Sequence, residues 1–229
     1  MNIFIKICGI TNPSDAKASL EYRADALGFI QTKKSKRFVS LETLNEIKRE
    51  VGNNFLSVPV FVNPDRNQVL EFLNIFPNSI IQFHGDEEED FCLSFKKPFI
   101  KALNVTNQKE LLRDLNNFKK SHAYLLDSGD SENRGGTGET FDWKLIPKEL
   151  SDKIIVAGGL NSNNINILLD DYIPYGIDVS SGVESIIGVK DHKKIKNFIK
   201  TVRSYELSLI HISEPTRRRG ISYAVFCLK

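Results

Sequence analysis

The sequence predicts an α/β protein folded as a single (β/α)8 TIM barrel. Short apolar runs rich in β-branched residues alternate with amphipathic helical patterns along the chain. Eight such pairs fill roughly the first 205 residues, near the lower size limit of that fold. Most of the runs are apolar almost without interruption, as parallel strands covered on both faces require. A doubly wound open sheet is the competing arrangement, because alternation alone does not separate the two. The first turn lacks a Gly-x-Gly-x-x-Gly fingerprint, and the number of units favours the barrel.

In chain order, the first strand, 3–8, rests on Ile3-Phe4-Ile5-Lys6-Ile7, and Gly9 with Asn12-Pro13 stops it. The helix over 14–22 opens on Asn12-Pro13-Ser14, a capping side chain followed by a ring pre-set for the first turn. Strand 25–30 leads into a basic loop, and Ser40 with Thr43 following starts the helix over 41–50. The same alternation places strands at 56–62, 79–83, 98–102 and 122–127, with helices at 66–75, 87–95 and 107–118 between them. After the sixth strand, Phe141-Asp142-Trp143 supports only one or two turns over 142–146. Strand 153–157, a helix over 162–170 begun by Asn161 before Ser162, strand 175–179 and a last helix over 191–203 complete the set.

Composition narrows the setting. The chain is 41% apolar and 26% charged, ordinary for a globular protein, and no apolar stretch reaches bilayer-spanning length. No charged-then-apolar leader is present, which points to the cytoplasm. Cysteines at 8, 92 and 227 form neither a disulfide framework nor a metal-ligand spacing, so a reaction without metal or cofactor is expected. The formal charge of +2 originates in residues 207–229; without them the chain keeps 27 of its 31 basic and 28 of its 29 acidic residues. That balance gives no support to a nucleic-acid or membrane surface.

In a barrel the site is built from the loops at the carboxyl ends of the strands. The polar residues found there are Cys8, Arg37, Asn63, His84, Asp127, Gly158-Gly159 and Ser180-Ser181-Gly182. Cys8 is either a small packed hydrophobe or a base whose thiolate is stabilised; Lys6, two residues earlier on the same pleat face, could hold that charge. Arg37 closes the basic run 33–37, which is a solvated loop, a carboxylate clamp through Arg37, or a set of lysines that attracts a phosphate. His84 is a proton shuttle or a satisfied structural histidine, while His122 and His192 belong to structural or surface positions. Asp127 ends an apolar strand, where a carboxylate is costly to bury without purpose; it is a general acid, a helix cap or an ion-pair partner. The stretch Gly135-Gly136-Thr137-Gly138 is a lid or a plain connection. Glycines at both of the last two strand ends, with Ser180 or Ser181 adding a hydroxyl, suit a phosphate and imply a small phosphorylated substrate.

The stretches KICGIT (6–11), KSKR (34–37), VFVN (60–63), QFHGDE (82–87), LLDS (125–128), GGTGETFDW (135–143), AGGLN (157–161) and DVSSGVES (178–185) together resemble the phosphoribosylanthranilate isomerases of tryptophan biosynthesis. The resemblance runs in order over essentially residues 1–203 and implies the same barrel. It implies an aldose–ketose isomerase that converts N-(5′-phosphoribosyl)anthranilate into 1-(2-carboxyphenylamino)-1-deoxyribulose 5-phosphate by an Amadori rearrangement, without a cofactor. It makes Asp127 the general acid and Cys8 the general base. Arg37 then binds the anthranilate carboxylate, and Gly158, Gly159, Ser181 and Gly182 bind the phosphate. Lys6 and His84 join them as supporting residues of the substrate site, and the working unit is a monomer.

Two positions depart from the family pattern: Lys36 stands where proline is frequent, and Ile186-Ile187 precede Gly188 where another is common. Both concern loop stiffness and leave the chemical groups intact. Other phosphosugar barrels, such as indole-glycerol-phosphate synthases, epimerases and tryptophan-synthase α-like lyases, would require different catalytic sets. A non-catalytic phosphosugar-binding barrel is the remaining alternative, and the Cys8/Asp127 pair argues against it. The chain opens directly on its first strand, which argues against a fused enzyme upstream. Residues 206–229 read as a tail outside the domain 1–205. From 207 onward they resemble a translated sequencing adapter, rather than a basic interaction tail, and should pack poorly on the barrel.

Overall fold

A computed structural model describes residues 2–128 and 140–213, the last five of them by backbone alone. Eight parallel strands close into a barrel: β1 (Phe4–Ile7), β2 (Ala26–Ile30), β3 (Leu56–Phe61), β4 (Ile81–Phe83), β5 (Phe99–Asn104), β6 (Ala123–Asp127), β7 (Ile154–Val156) and β8 (Gly176–Val179), with β8 paired back onto β1. The open-sheet alternative is thereby excluded. Outside the strands lie α1 (Pro13–Glu21), α2 (Leu41–Val51), α3 (Arg66–Ile75), α4 (Glu89–Leu93), α5 (Gln108–Asn117), α6 (Ile165–Asp171) and α7 (His192–Ser213). Between β6 and β7 the described chain makes only two short 3-10 turns, Trp143–Leu145 and Lys148–Leu150. A hairpin of β9 (Glu184–Ile186) and β10 (Val189–Lys190) follows β8; the alternating pattern does not anticipate it.

Local chemistry explains the helix starts. Asn12, Ser40, Asp65 and Asn107 each accept a backbone N–H two or three residues into their helices, and Asp65 with Gln68 completes a capping box. Strand alternation then divides the core in two. Ile5, Ile7, Leu27, Phe29, Phe61, Phe83, Leu126 and Val156 point outward and pack beneath the helices. Ala26, Val58, Ile100, Ala123, Leu125 and Ile155 fill the barrel itself, with Phe4 and Leu56 closing its amino end. The carboxyl end of the interior is polar instead, because Lys6, Cys8, Gln82, His84, Asp127 and Asp178 occupy the inward positions there.

The last strand of the barrel and α7 both meet the first strand, β1. Lys6 and Asp178 are register partners across the β1–β8 seam, and their side chains form a buried ion pair, Nζ to Oδ1, at 2.9 Å. Beneath the barrel, α7 grips the same strand. The Glu206 carboxylate accepts the Ile3 N–H, Arg203 donates to the Ile3 carbonyl at 2.8 Å, and Arg203 also meets Asp25 Oδ2 at 2.6 Å. The domain limit expected at 205 therefore falls inside α7, and Glu206 belongs to the barrel. Periodicity shows where a helix turns amphipathic but not which polar residue caps a strand beneath it. Gly135 to Gly138 and the tail residues Tyr223 and Phe226 lie outside the described residues.

Glu206 is buried and accepts the Ile3 N–H, a group that would otherwise lose its partner. Glu206→Ala should lower unfolding free energy by about 1–3 kcal/mol. Leu207→Ala, at a side chain 59% exposed, should change it by less than about 0.5 kcal/mol. Urea unfolding of the two variants checks the pair.

Candidate active site

Cys8 leaves β1 pointing into the barrel mouth. Its backbone N–H still donates to Val179 O at 2.9 Å, so the ladder with β8 holds it to the end. Space for the thiol comes from β2, where a Cβ placed on Gly28 would lie 2.7 Å from Cys8 Sγ and 3.0 Å from Lys6 Cε. The turn after Cys8 needs Gly9, which adopts φ +74°, and a side chain there would collide with Arg37 Cδ and Ser180 Oγ.

Lys6 has no solvent exposure, and its amine is paired with Asp178. Burial works against its charge, but the Asp178 carboxylate and Cys8 hold the amine above its usual range. For Cys8 the balance runs the other way from expectation. Burial, and then the charge of Asp178, push the thiol up, and Lys6 and Lys190 only partly offset them. The Lys6 charge is matched by its register partner Asp178, so the surroundings favour the thiol over the thiolate.

Arg37 is a carboxylate clamp, and the carboxylate it holds here is internal. Its Nε and Nη2 donate to the two oxygens of Glu184 at 2.7 and 2.8 Å. Lys190 joins the same group, with Nζ 3.1 Å from Glu184 Oε1 and 3.1 Å from Ser180 O. Burial would raise the Glu184 carboxyl, yet the hydrogen bond from Arg37 and the charge of Lys190 bring it below its usual range. The hydrogen bond to Glu184 holds Arg37 correspondingly higher. Two cationic side chains thus share one carboxylate at this rim, an excess suited to an anionic ligand.

Asp127 ends β6, buried, with Oδ1 accepting the Ser128 N–H at 2.8 Å. His84 ends β4 and brings Nε2 to 3.6 Å from Asp127 Oδ2, while Nδ1 lies 3.2 Å from Gln82 Nε2. The loop carrying His84 is shaped by Glu87. That buried carboxylate accepts the N–H groups of Asn63 and Gly85 and pairs with Lys101 at 2.8 Å. Gly85 is obligatory, since a Cβ would fall 2.3 Å from Asn63 Oδ1.

The last two loops stand shoulder to shoulder. Gly158 has φ +79°, and a Cβ on it would lie 2.4 Å from Ser128 Oγ; one on Gly182 would lie 1.9 Å from Leu160 O. Gly159, at φ +61°, has its carbonyl taken by both Asn161 and Asn164 amides. Ser181 opens the short 3-10 turn Ser181–Val183 that carries Gly182. His192 opens α7 and meets Asp15 at 2.9 Å.

Sequence reasoning therefore locates Cys8, Arg37, His84, Asp127 and the glycine loops around one mouth. It misses Gly28, Asp178, Glu184, Lys190, Glu87 and Lys101. The available signal was a lysine inside each of two apolar runs, Lys6 and Lys101, which demands a buried acid partner somewhere.

A family model described as N-(5′-phosphoribosyl)anthranilate (PRA) isomerase matches residues 5–201. The N-(5′-phosphoribosyl)anthranilate isomerase of Legionella pneumophila (strain Corby) is 42% identical over 200 residues, 87% of this chain and 97% of that protein. The crystal structure of phosphoribosyl anthranilate isomerase from Thermotoga maritima shares 38% identity at a TM-score of 0.79, covering 89% of this chain and 100% of that one. A further crystal structure of a phosphoribosyl anthranilate isomerase holds reduced 1-(o-carboxyphenylamino)-1-deoxyribulose 5-phosphate. It is 36% identical, with a TM-score of 0.76 and coverage of 89% and 100%.

Two measurements follow from this geometry. Gly28→Ala should displace Cys8 and lower kcat by about 10²-fold with the circular-dichroism spectrum unchanged; wild-type kcat would refute the steric argument. In a protein with Cys92 and Cys227 replaced by serine, Cys8 should react slowly with iodoacetamide at neutral pH. Its rate should rise only above the ordinary thiol range of about 8–9, because a raised thiol keeps its proton until then. An inflection below pH 8 would contradict it.

Proposed function

We propose that this chain, which belongs to the N-(5′-phosphoribosyl)anthranilate isomerase family, performs its rearrangement with Asp127 as general acid and Cys8 as general base. The reaction is the isomerisation of N-(5′-phosphoribosyl)anthranilate to 1-(o-carboxyphenylamino)-1-deoxyribulose 5-phosphate in tryptophan biosynthesis. What carries the assignment of roles is that Cys8 and Asp127 both point inward at the carboxyl ends of their strands, β1 and β6, beside the glycine loops after β7 and β8.

Asp127 gives its proton to the furanose ring oxygen as the C1′–O bond breaks, and the anthranilate nitrogen lone pair forms the Schiff base. Cys8 then takes the proton from C2′, and the electron pair left behind moves into the enolamine. Ketonisation returns a proton to C1′ while the C2′ hydroxyl gives up its own to Asp127, so two protons are gained and two lost, and atoms and charge balance across the reaction. Cys8 must give up its own thiol proton before it can act, and substrate binding in the mouth has to favour that loss. Lys6 supports this step through its positive charge beside Cys8, which favours loss of the thiol proton.

The phosphate is assigned to the loops of Gly158, Gly159, Ser181 and Gly182, where close backbone approach is possible. The anthranilate carboxylate is assigned to Arg37, which would exchange part of its Glu184 contact for the ligand. His84 supports Asp127. All of these groups come from one chain, so we take the working unit to be a monomer, acting in the cytoplasm on one small phosphorylated substrate. Among the described residues no helix is long and apolar enough to cross a membrane.

Loss of phosphoribosylanthranilate fluorescence measures the reaction directly. Cys8→Ala and Asp127→Asn should each lower kcat by about 10²–10⁴-fold while KM stays within a few-fold. Absence of turnover by the wild-type chain, or full activity in both variants, would overturn the assignment.

A further inference from the structure

Gln82 has no task in the acid–base reading, yet it faces the barrel interior two residues before His84. It is 1% exposed, and its Oε1 accepts no hydrogen bond from any described residue. A buried carbonyl oxygen without a donor destabilises a fold, so an apolar side chain of similar length would serve packing better. What the amide does supply is a donor, with Nε2 3.2 Å from His84 Nδ1. An amide nitrogen can only donate, so Nδ1 must accept, and the proton of the neutral ring then sits on Nε2. That atom lies 3.6 Å from Asp127 Oδ2.

From this juxtaposition we propose that Gln82 is a positioning residue for the rearrangement. It holds His84 in the Nε2–H tautomer, so that an N–H dipole faces the negative charge left on Asp127 when its proton passes to the ring oxygen. The inference rests on the reading of Asp127 as general acid. Proton accounting is simple: the proton leaves the Asp127 carboxyl and becomes the hydroxyl hydrogen of the opened ring, while His84 keeps its own throughout. The opposite tautomer would set a lone pair against the carboxylate and oppose the transfer. Because the charge on Asp127 grows toward the transition state, the contribution falls on kcat and leaves KM nearly untouched.

Gln82→Met removes both the donor and the orphan oxygen at similar volume. It should lower kcat by about tenfold, hold KM within about twofold, and leave the melting temperature unchanged or higher. A residue that only supported the fold would not combine lower kcat with undiminished stability. Nitrogen-15 histidine spectra of the ligand-free wild type at neutral pH, with the His84 signal identified by its loss in His84→Asn, should show the proton on Nε2 alone. That spectrum decides the matter even where Gln82→Met fails to fold. Wild-type kcat in Gln82→Met, or a proton on Nδ1 in the wild type, overturns the role of Gln82; if Asp127→Asn is inactive, the acid reading stands. Full activity in Asp127→Asn removes the acid reading, and this proposal falls with it.

Discussion

One buried ion pair constrains the rest of the molecule. Lys6 and Asp178 face each other across the seam between the first and last strands of the barrel, with the lysine sealed from water. A lysine in that position is tolerable only with a carboxylate beside it, since an unpaired buried charge costs several kcal/mol. A one-residue slip of β8 would turn Asp178 outward and bring Ile177 or Val179 against the amine. The pair therefore selects the closure register. The same register fixes the floor on which Cys8 stands, where burial first and the Asp178 charge second push the thiol up.

The other buried charges follow this pattern at the loops. Glu87 with Lys101 fastens the turn that carries His84, and Glu184 with Arg37 and Lys190 fastens the rim beside Ser180. Pairs of this kind add little net stability, because desolvation offsets most of their attraction. Their effect is geometric. Each holds a loop of the carboxyl face against a strand, so that groups borne on turns are placed almost as firmly as groups borne on the sheet. The glycines act in the same sense, since Gly28, Gly85, Gly158 and Gly182 all stand where a methyl group would force neighbours apart.

Apolar periodicity locates all eight strands to within two residues, because a strand covered on both faces has almost no freedom in composition. It also puts Cys8, His84 and Asp127 at strand ends, where they are found. Partnerships are far less legible. Lys6 finds Asp178 at a sequence separation of 172, and nothing local to either residue names the other. Arg37 reads as a free clamp until β9 brings Glu184 to it. The β9–β10 hairpin escapes notice because Ile186, Ile187 and Val189 are exposed, so its pattern resembles neither a buried strand nor an amphipathic helix. The length of α7 is missed for a related reason: Glu206 looks like a solvent residue until the backbone of Ile3 is seen to need it.

The meeting of β1 and β8 at the seam also has a consequence in time. β1 is synthesised well before the strand that must pair with it there. At about 5–20 residues per second, Lys6 waits roughly 10–35 s for Asp178. Through that interval a half-built sheet presents two raw edges, and its lysine stays hydrated because no carboxylate has arrived to replace the water. The interval ends only when β8 closes the seam and brings Asp178 to the amine.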